Sequence, residues 1–280
     1  MAKRIIHGGI RPPIRERLRY DSVIAGAIDP GNADREPIVK LPNFFDSYRK
    51  LASDLRKGYG EEKAMALAVG GDFEAVGMLE YFLLLQNGLQ KDHTVVDVGC
   101  GSGRLAVQLK DVLAGRYVGI DVVPELFQYA SKLCGRPDWR FCAAPGLSIP
   151  EPDNSADFIC FFSVFTHLQH EESFRYLEDA RRVLKPGGKI IFSFLEFRIF
   201  GHWCLFKASA ADTNPGKVLN QFIDRDAIRL WAEHFGLTIV TIADGDQSHI
   251  TIDKPVRWDN GTVMTDTGTF GQSVCVLTKP

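Results

Sequence analysis

One stretch constrains the fold of this chain more than any other: Thr94 to Leu109, TVVDVGCGSGRLAVQL. It opens with an apolar, β-branched run, Val95-Val96-Asp97-Val98, of the kind that forms a buried strand. Gly99, Gly101 and Gly103 follow at alternate positions, and then Leu105, Ala106 and Leu109 share one helical face. Strand, glycine turn and helix make a small-molecule site. The glycines let a ligand approach the backbone, and the helix N-terminus offers unpaired N–H groups.

A second apolar run, Arg116 to Ile120, ends at Asp121, 22 residues after Gly99. That distance suits one helix and a return along a neighbouring parallel strand. An acidic residue at the tip of such a strand can accept hydrogen bonds from a ribose diol. The pattern around the turn is D-x-G-x-G-x-G. A dinucleotide fingerprint places glycine or a small residue at the sixth position; counted from Gly99 that position is Arg104, and counted from Gly101 it is Ala106. Asp97 just ahead of the turn suits a ligand with an ammonium group better than a pyrophosphate.

VVDVGCGSGR followed by YVGIDVVPEL resembles the first two motifs of the class I S-adenosylmethionine-dependent methyltransferases. ADFICFFSVFTHL and RRVLKPGGKIIFS resemble the fourth and fifth motifs of the same family, and all four stand in the family's order between Thr94 and Leu195. The resemblance implies a Rossmann-like α/β fold: a doubly wound, mostly parallel seven-stranded sheet with an antiparallel last strand. It implies S-adenosylmethionine as cofactor. Gly99, Cys100 and Gly101 would meet the methionine and ribose portions, Asp97 the amino group, Asp121 the ribose hydroxyls, and Val122 the adenine. An acidic residue often follows strand three in this family, but the corresponding place near Pro145 has none. Gly146 and Leu147, with Ala144, would supply backbone groups and an apolar wall there.

The remaining chain fits one such domain with additions. At 280 residues, 45% hydrophobic and a net charge of −2, it has no general attraction for nucleic acid or an anionic membrane. The six cysteines form no C-x-x-C pair and several sit in apolar runs, which suits reduced thiols in a cytoplasmic protein. Apolar runs such as Tyr81 to Leu85 are too short to span a bilayer, and no signal peptide is evident.

Residues 1–88 read as a basic arm and a helical cap or lid, and residues 89–280 as the cofactor-binding domain. Asp29-Pro30-Gly31-Asn32 reads as a turn. Asn43 looks like an N-cap for a helix ending at Gly58, and a second helix runs from Asp72 to Asn87-Gly88. Gly70-Gly71 and Phe73 would neighbour the cofactor if this segment closes over it. Later helices are expected from Arg104 to Leu113, Pro124 to Cys134, a cap near Thr166 to Leu184, and Asp224 to Phe235. Strands are expected at 94–98, 116–121, 139–143, 157–162, 189–195, 237–242 and 273–278, with Lys185-Pro186-Gly187-Gly188 as a helix stop and tight turn. Residues 196–221 and 244–270 would be insertions overhanging the site, the first of them containing Asn214-Pro215-Gly216.

Methyl transfer needs nucleophile, methyl and sulfur in line, and a hydroxyl acceptor benefits from a base. Ser163, Phe165 and His167 leave strand four at its carboxyl end, so Ser163 is a candidate cofactor neighbour and His167 the candidate base. His249, flanked by Asp244, Asp246 and Asp253, is a second candidate, and His202 a further overhanging histidine. His167 and His170 have no third ligand spaced to join them, so no metal is expected. Phe161, Phe162 and Phe165 are expected in the core or beside the sulfonium.

Base-modifying members of the family carry a Pro-Pro-aromatic motif after strand four; here that place reads FFSVFTHL. A small-molecule acceptor is therefore expected, with O-methylation favoured because histidine bases are at hand. Alternatives are an RNA- or protein-directed methyltransferase using the basic arm, a nicotinamide-dependent oxidoreductase, and a nucleoside-binding regulator without turnover.

Overall fold

β1 (Val95–Val98) is buried at every position and sits near the middle of a seven-stranded sheet. The computed structural model describes residues 44–144, 146–214 and 217–280. The basic arm, the Asp29–Asn32 turn, Asn43, Pro145 and Pro215-Gly216 lie outside them.

The chain enters through three helices, α1 (Phe44–Gly58), α2 (Glu61–Ala68) and α3 (Phe73–Gln86). Asp72 caps α3, its side chain accepting from the Ala75 amide at 2.9 Å. β1 leads into α4 (Arg104–Leu109), then β2 (Tyr117–Asp121) and α5 (Pro124–Cys134). Pro124 occupies the first turn of α5, where its missing N–H costs nothing, and Gly135 ends it in the left-handed region. β3 (Arg140–Ala143), β4 (Ala156–Phe161), α6 (His170–Val183) and β5 (Leu184–Phe194) follow. After α7 (Phe200–Ala211) come α8 (Arg225–Phe235), β6 (Thr238–Ala243), a hairpin of β7 (Ile250–Arg257) and β8 (Val263–Gly268), and β9 (Ser273–Thr278).

The strand order is β3-β2-β1-β4-β5-β9-β6. β1 pairs in parallel with β2 on one side and β4 on the other, and β9 inserts antiparallel between β5 and β6. The order reverses between β1 and β4, and in open α/β sheets a ligand binds at the carboxyl ends of strands at such a point. Among the described residues no helix is long and apolar enough to cross a membrane.

Alternation along β1 assigns its side chains to two cores. Val96 and Val98 join the core under α6 and α8; Val95 joins the core under α3, α4 and the hairpin. The two insertions are rooted on one arginine. Arg225 grips Glu196 with two hydrogen bonds, at 2.8 and 2.6 Å, and also bonds Asp244. Its guanidinium holds the Asp244 carboxyl below the usual range, so Asp244 serves the fold here rather than a site with His249.

Four local readings change. α6 begins at His170, not near Thr166: Gln169 and Glu172 form a capping box that a search for Ser, Thr, Asp or Asn does not see. Lys185–Gly188 belongs to an early, irregular part of β5 rather than to a separate turn, because Leu184 already pairs with Ala156. α4 stops at Leu109, short of Leu113. Helices α2 and α7 fill segments in which no helix was expected.

Candidate active site

The turn after β1 has left-handed backbone at Gly99, Gly101 and Gly103, with φ of 77°, 52° and 93°. A Cβ at Gly99 would come within 2.3 Å of Val164, and one at Gly101 within 2.4 Å of Val69. Glycine is thus required twice, by dihedral and by contact. Asp121, at the tip of β2, locks the turn from across the switch point. Its Oδ2 accepts from the Gly101 amide and its Oδ1 from the Val123 amide, both at 2.9 Å. Burial raises the Asp121 carboxyl above its ordinary pKa, and these backbone donors oppose the rise.

Above this turn lies a pocket, with about 720 Å³ of empty space that includes space open to solvent. Gly99, Cys100, Gly101, Asp121, Val122, Ser163 and His167 all line it. Ile120, Ala144, Leu168 and Tyr176 complete an apolar end. Tyr176 donates to the Gly146 carbonyl at 3.0 Å, and burial pushes its phenol up to about 12. Phe162 also lines the cavity, whereas Phe161 and Phe165 are fully buried in the core.

The residues fit an adenosyl sulfonium ligand. A carboxylate at the wall retains oxygen lone pairs beyond the two spent on amides, and can take a ribose diol. The glycine backbone approaches without side chains. Val122, Ala144 and Leu168 add apolar lining.

Other expected residues stand elsewhere. Asp97 does not line the cavity: it faces the same side of the sheet as Val95 and accepts from Tyr117 Oη at 2.6 Å. Burial raises its carboxyl to about 6, with Tyr117 and then Arg104 pulling the other way. Gly146 and Leu147 are also outside the lining. Gly146 offers its carbonyl to Tyr176, and Leu147 packs on the core. His249 begins the hairpin against the far end of α3, its carbonyl accepting from Gln86. Its amide donates to the Gly268 carbonyl at 3.0 Å, and His249 is not among the residues lining the cavity. His202 is the buried residue of α7, its Nδ1 accepting from the Glu196 amide at 3.1 Å and its Nε2 donating to the Gly271 carbonyl at 2.9 Å. Among the described residues no three His, Cys, Asp or Glu are arranged to hold a metal ion. The six cysteines are free thiols.

His167 sits at the boundary with a second cavity, of about 790 Å³. The two share Val69, Arg104, Ser163 and His167. His167 Nδ1 lies 2.7 Å from the Leu219 carbonyl. A carbonyl only accepts, so Nδ1 carries the proton and Nε2 is the basic nitrogen. Burial lowers the pKa of the ring. Ser163 has a left-handed backbone, φ 57°, which turns the chain out of β4; its amide donates to Ser193 Oγ at 2.7 Å.

Three site residues were not foreseen. Arg104, after the last glycine, forms a buried ion pair with Glu80 at 2.8 Å and donates to the Val69 and Gly70 carbonyls. It thereby ties the segment after α2 to the cofactor turn. Phe270 and Gln272 line the second cavity from the chain before β9. The one sequence signal among these was the arginine directly following the glycines.

Residues 96–192 match the methyltransferase domain family, and the fold, the glycine turn and the acidic tip of β2 are those of the class I S-adenosylmethionine-dependent methyltransferases. Over 119 residues the chain is 31% identical to a sterol 24-C-methyltransferase of Pneumocystis carinii, covering 41% of this chain and 31% of that protein. It is 33% identical over 107 residues to a demethylmenaquinone methyltransferase of Tropheryma whipplei, covering 37% and 42% respectively. The chain thus spans less than half the length of these curated relatives. Its fold is also that of the magnesium protoporphyrin IX methyltransferase of Synechocystis PCC 6803, solved with bound SAH: TM-score 0.56, 14% identity, covering 82% of this chain and 98% of that one.

Proposed function

We propose that this chain transfers the methyl group of S-adenosylmethionine to a small-molecule acceptor with an apolar body, and that the receiving atom is a hydroxyl oxygen. One observation carries the reading. The cradle built by Gly99, Gly101 and Asp121 adjoins, at His167 and Ser163, a second cavity whose apolar walls are Leu51, Leu67, Val76, Val218 and Phe270 and whose other polar side chains are Arg104 and Gln272. A cofactor chamber joined to an apolar chamber is what a two-substrate transfer to an apolar compound needs.

Bound S-adenosylmethionine supplies a methyl group already activated by its sulfonium. The protein's part is to hold and orient. Asp121 takes the ribose, and the side-chain-free backbone at Gly99 and Gly101 lets the methionine portion lie against the turn. Val122, Ala144 and Leu168 hold the adenine. Arg104 keeps the segment after α2 against the turn and so excludes water from the boundary. His167, at the boundary of the two cavities, is the group that takes a proton from an acceptor hydroxyl.

The two curated relatives named above act, by their names, on a sterol and on demethylmenaquinone, and both names fit an apolar acceptor. The sterol enzyme's name specifies carbon; the histidine at the boundary favours oxygen here.

Incubating the protein with methyl-labelled S-adenosylmethionine and fractionated metabolite extracts tests this. Label in an organic-soluble product whose carbon-13 shift is that of a methyl ether or ester supports it. A protein that binds S-adenosylhomocysteine yet labels nothing is a regulator, and a C-methyl product removes the base role from His167.

A further inference from the structure

Beyond the acceptor chamber lies an open groove, whose roughly 780 Å³ of empty space includes space open to solvent. Leu195, Ile199, Leu205 and Phe270 form its apolar walls. Phe270 and Gln272 line this cavity and the acceptor chamber alike, so the two meet at these side chains. Phe270 is braced from behind by an edge-on contact with Phe162, ring centroids 6.1 Å apart.

The polar groups are unevenly distributed along this path. At the inner end are His167, Ser163 and Gln272. The Gln272 amide accepts from Ser193 Oγ at 2.7 Å and donates to Ser163 Oγ at 3.0 Å. On the outer walls, both ring nitrogens of His202 are committed to backbone groups, and Asp246 is the one other ionisable residue of the lining. α7 forms part of the outer wall through Gly201, His202 and Leu205. It buries one residue of its twelve, His202, yet carries Phe200, Trp203, Leu205 and Phe206. A surface helix normally shows a polar face to water. This one shows apolar residues beside a groove that leads to the reacting end of the site.

We propose that the outer chamber is a subsite for the hydrocarbon tail of the acceptor. The substrate is then an elongated amphiphile: its hydroxyl-bearing head lies at His167, and its tail passes Phe270 and rests on Leu195, Ile199 and Leu205. This rests on the transferase reading above and adds the shape of the substrate to it.

The test is calorimetric, with 4-n-alkylphenols from ethyl to decyl as probes, on the full chain with and without saturating S-adenosylhomocysteine. Each added methylene that reaches the groove should tighten binding about threefold to fourfold. Leu205→Asp places a charge on the groove wall from an exposed helix position. It should flatten the rise for the long chains and leave the ethyl member unaffected. Leu205→Met should restore the rise, and unchanged thermal melting shows that both variants fold. A wild-type series with no gain in affinity with length, or a slope that Leu205→Asp leaves intact, overturns the proposal. If the length dependence holds and responds to Leu205 while S-adenosylhomocysteine does not bind, the subsite stands and the transferase reading falls.

Discussion

The Asp121 carboxylate holds the Gly101 amide at 2.9 Å, joining the tip of β2 to the middle glycine of the cofactor turn. The residue that would receive the ribose is therefore also the residue that sets the turn. Asp121→Ala removes both contributions. Hydrogen bonds to a charged group are worth about 1.5–3 kcal/mol, so S-adenosylhomocysteine should bind roughly thirtyfold more weakly or worse. Titration calorimetry measures this; unchanged affinity would remove Asp121 from the cofactor site.

His167→Gln keeps the size of the side chain near that of histidine and removes the base. Turnover should fall about a hundredfold, the lower end of general-base contributions, with S-adenosylhomocysteine affinity retained. The wild-type rate should decline on the acid side as the ring is protonated. Because burial lowers the His167 pKa, that decline should lie below the ordinary histidine range. The acid limb should be absent in the variant, and its persistence would assign it to another group.

Glu80 is buried against Arg104, and burial raises its carboxyl to about 7 despite the guanidinium. A carboxyl raised in the folded state holds its proton more tightly there than in the unfolded chain. Its contribution to stability is then largest at low pH and is lost as pH rises towards 7. Taken alone, a rise from 4.5 to about 7 corresponds to roughly 3 kcal/mol. Denaturant unfolding at pH 5.5 and pH 8 should show wild-type stability falling between them by more than that of Glu80→Gln. Equal slopes would mean that Glu80 is ionised throughout.

Gly77, in α3, leaves no space for a side chain: a Cβ there would stand 2.5 Å from the Arg104 carbonyl at the start of α4. Gly77→Ala should cost about 1–3 kcal/mol and lower the melting temperature. It should also weaken cofactor binding, because α4 carries the end of the glycine turn. A variant as stable as wild type would show that the two helices separate freely.

The sheet was legible because its strands are short apolar runs separated by glycine, proline and polar turns. All seven expected strands are present, and the antiparallel one is the last. Helix α7 was not legible. Its apolar residues are not confined to one face: His202 is its one buried residue, while the exposed Trp203 and the half-buried Phe206 cluster with Phe197 and Phe222, and periodicity reports burial on one side. At the site, Gly99, Gly101 and Asp121 could be read from spacing, because a turn and the next strand tip bring them together. Asp97 misled because a residue beside a turn can point to either face of the sheet, and here Tyr117 claims it. Arg104's grip on the Val69 carbonyl joins residues 35 apart, and Gln272's bond to Ser163 spans 109; neither pairing leaves a local trace.

The central claim is that the cavity over Gly99, Gly101 and Asp121 is made for an adenosyl sulfonium compound. Calorimetric titration of the wild-type chain with S-adenosylhomocysteine and, separately, with NAD tests it most directly. Saturable one-to-one binding of S-adenosylhomocysteine and none of NAD is the predicted result. Binding of NAD without S-adenosylhomocysteine, or of neither, would contradict it.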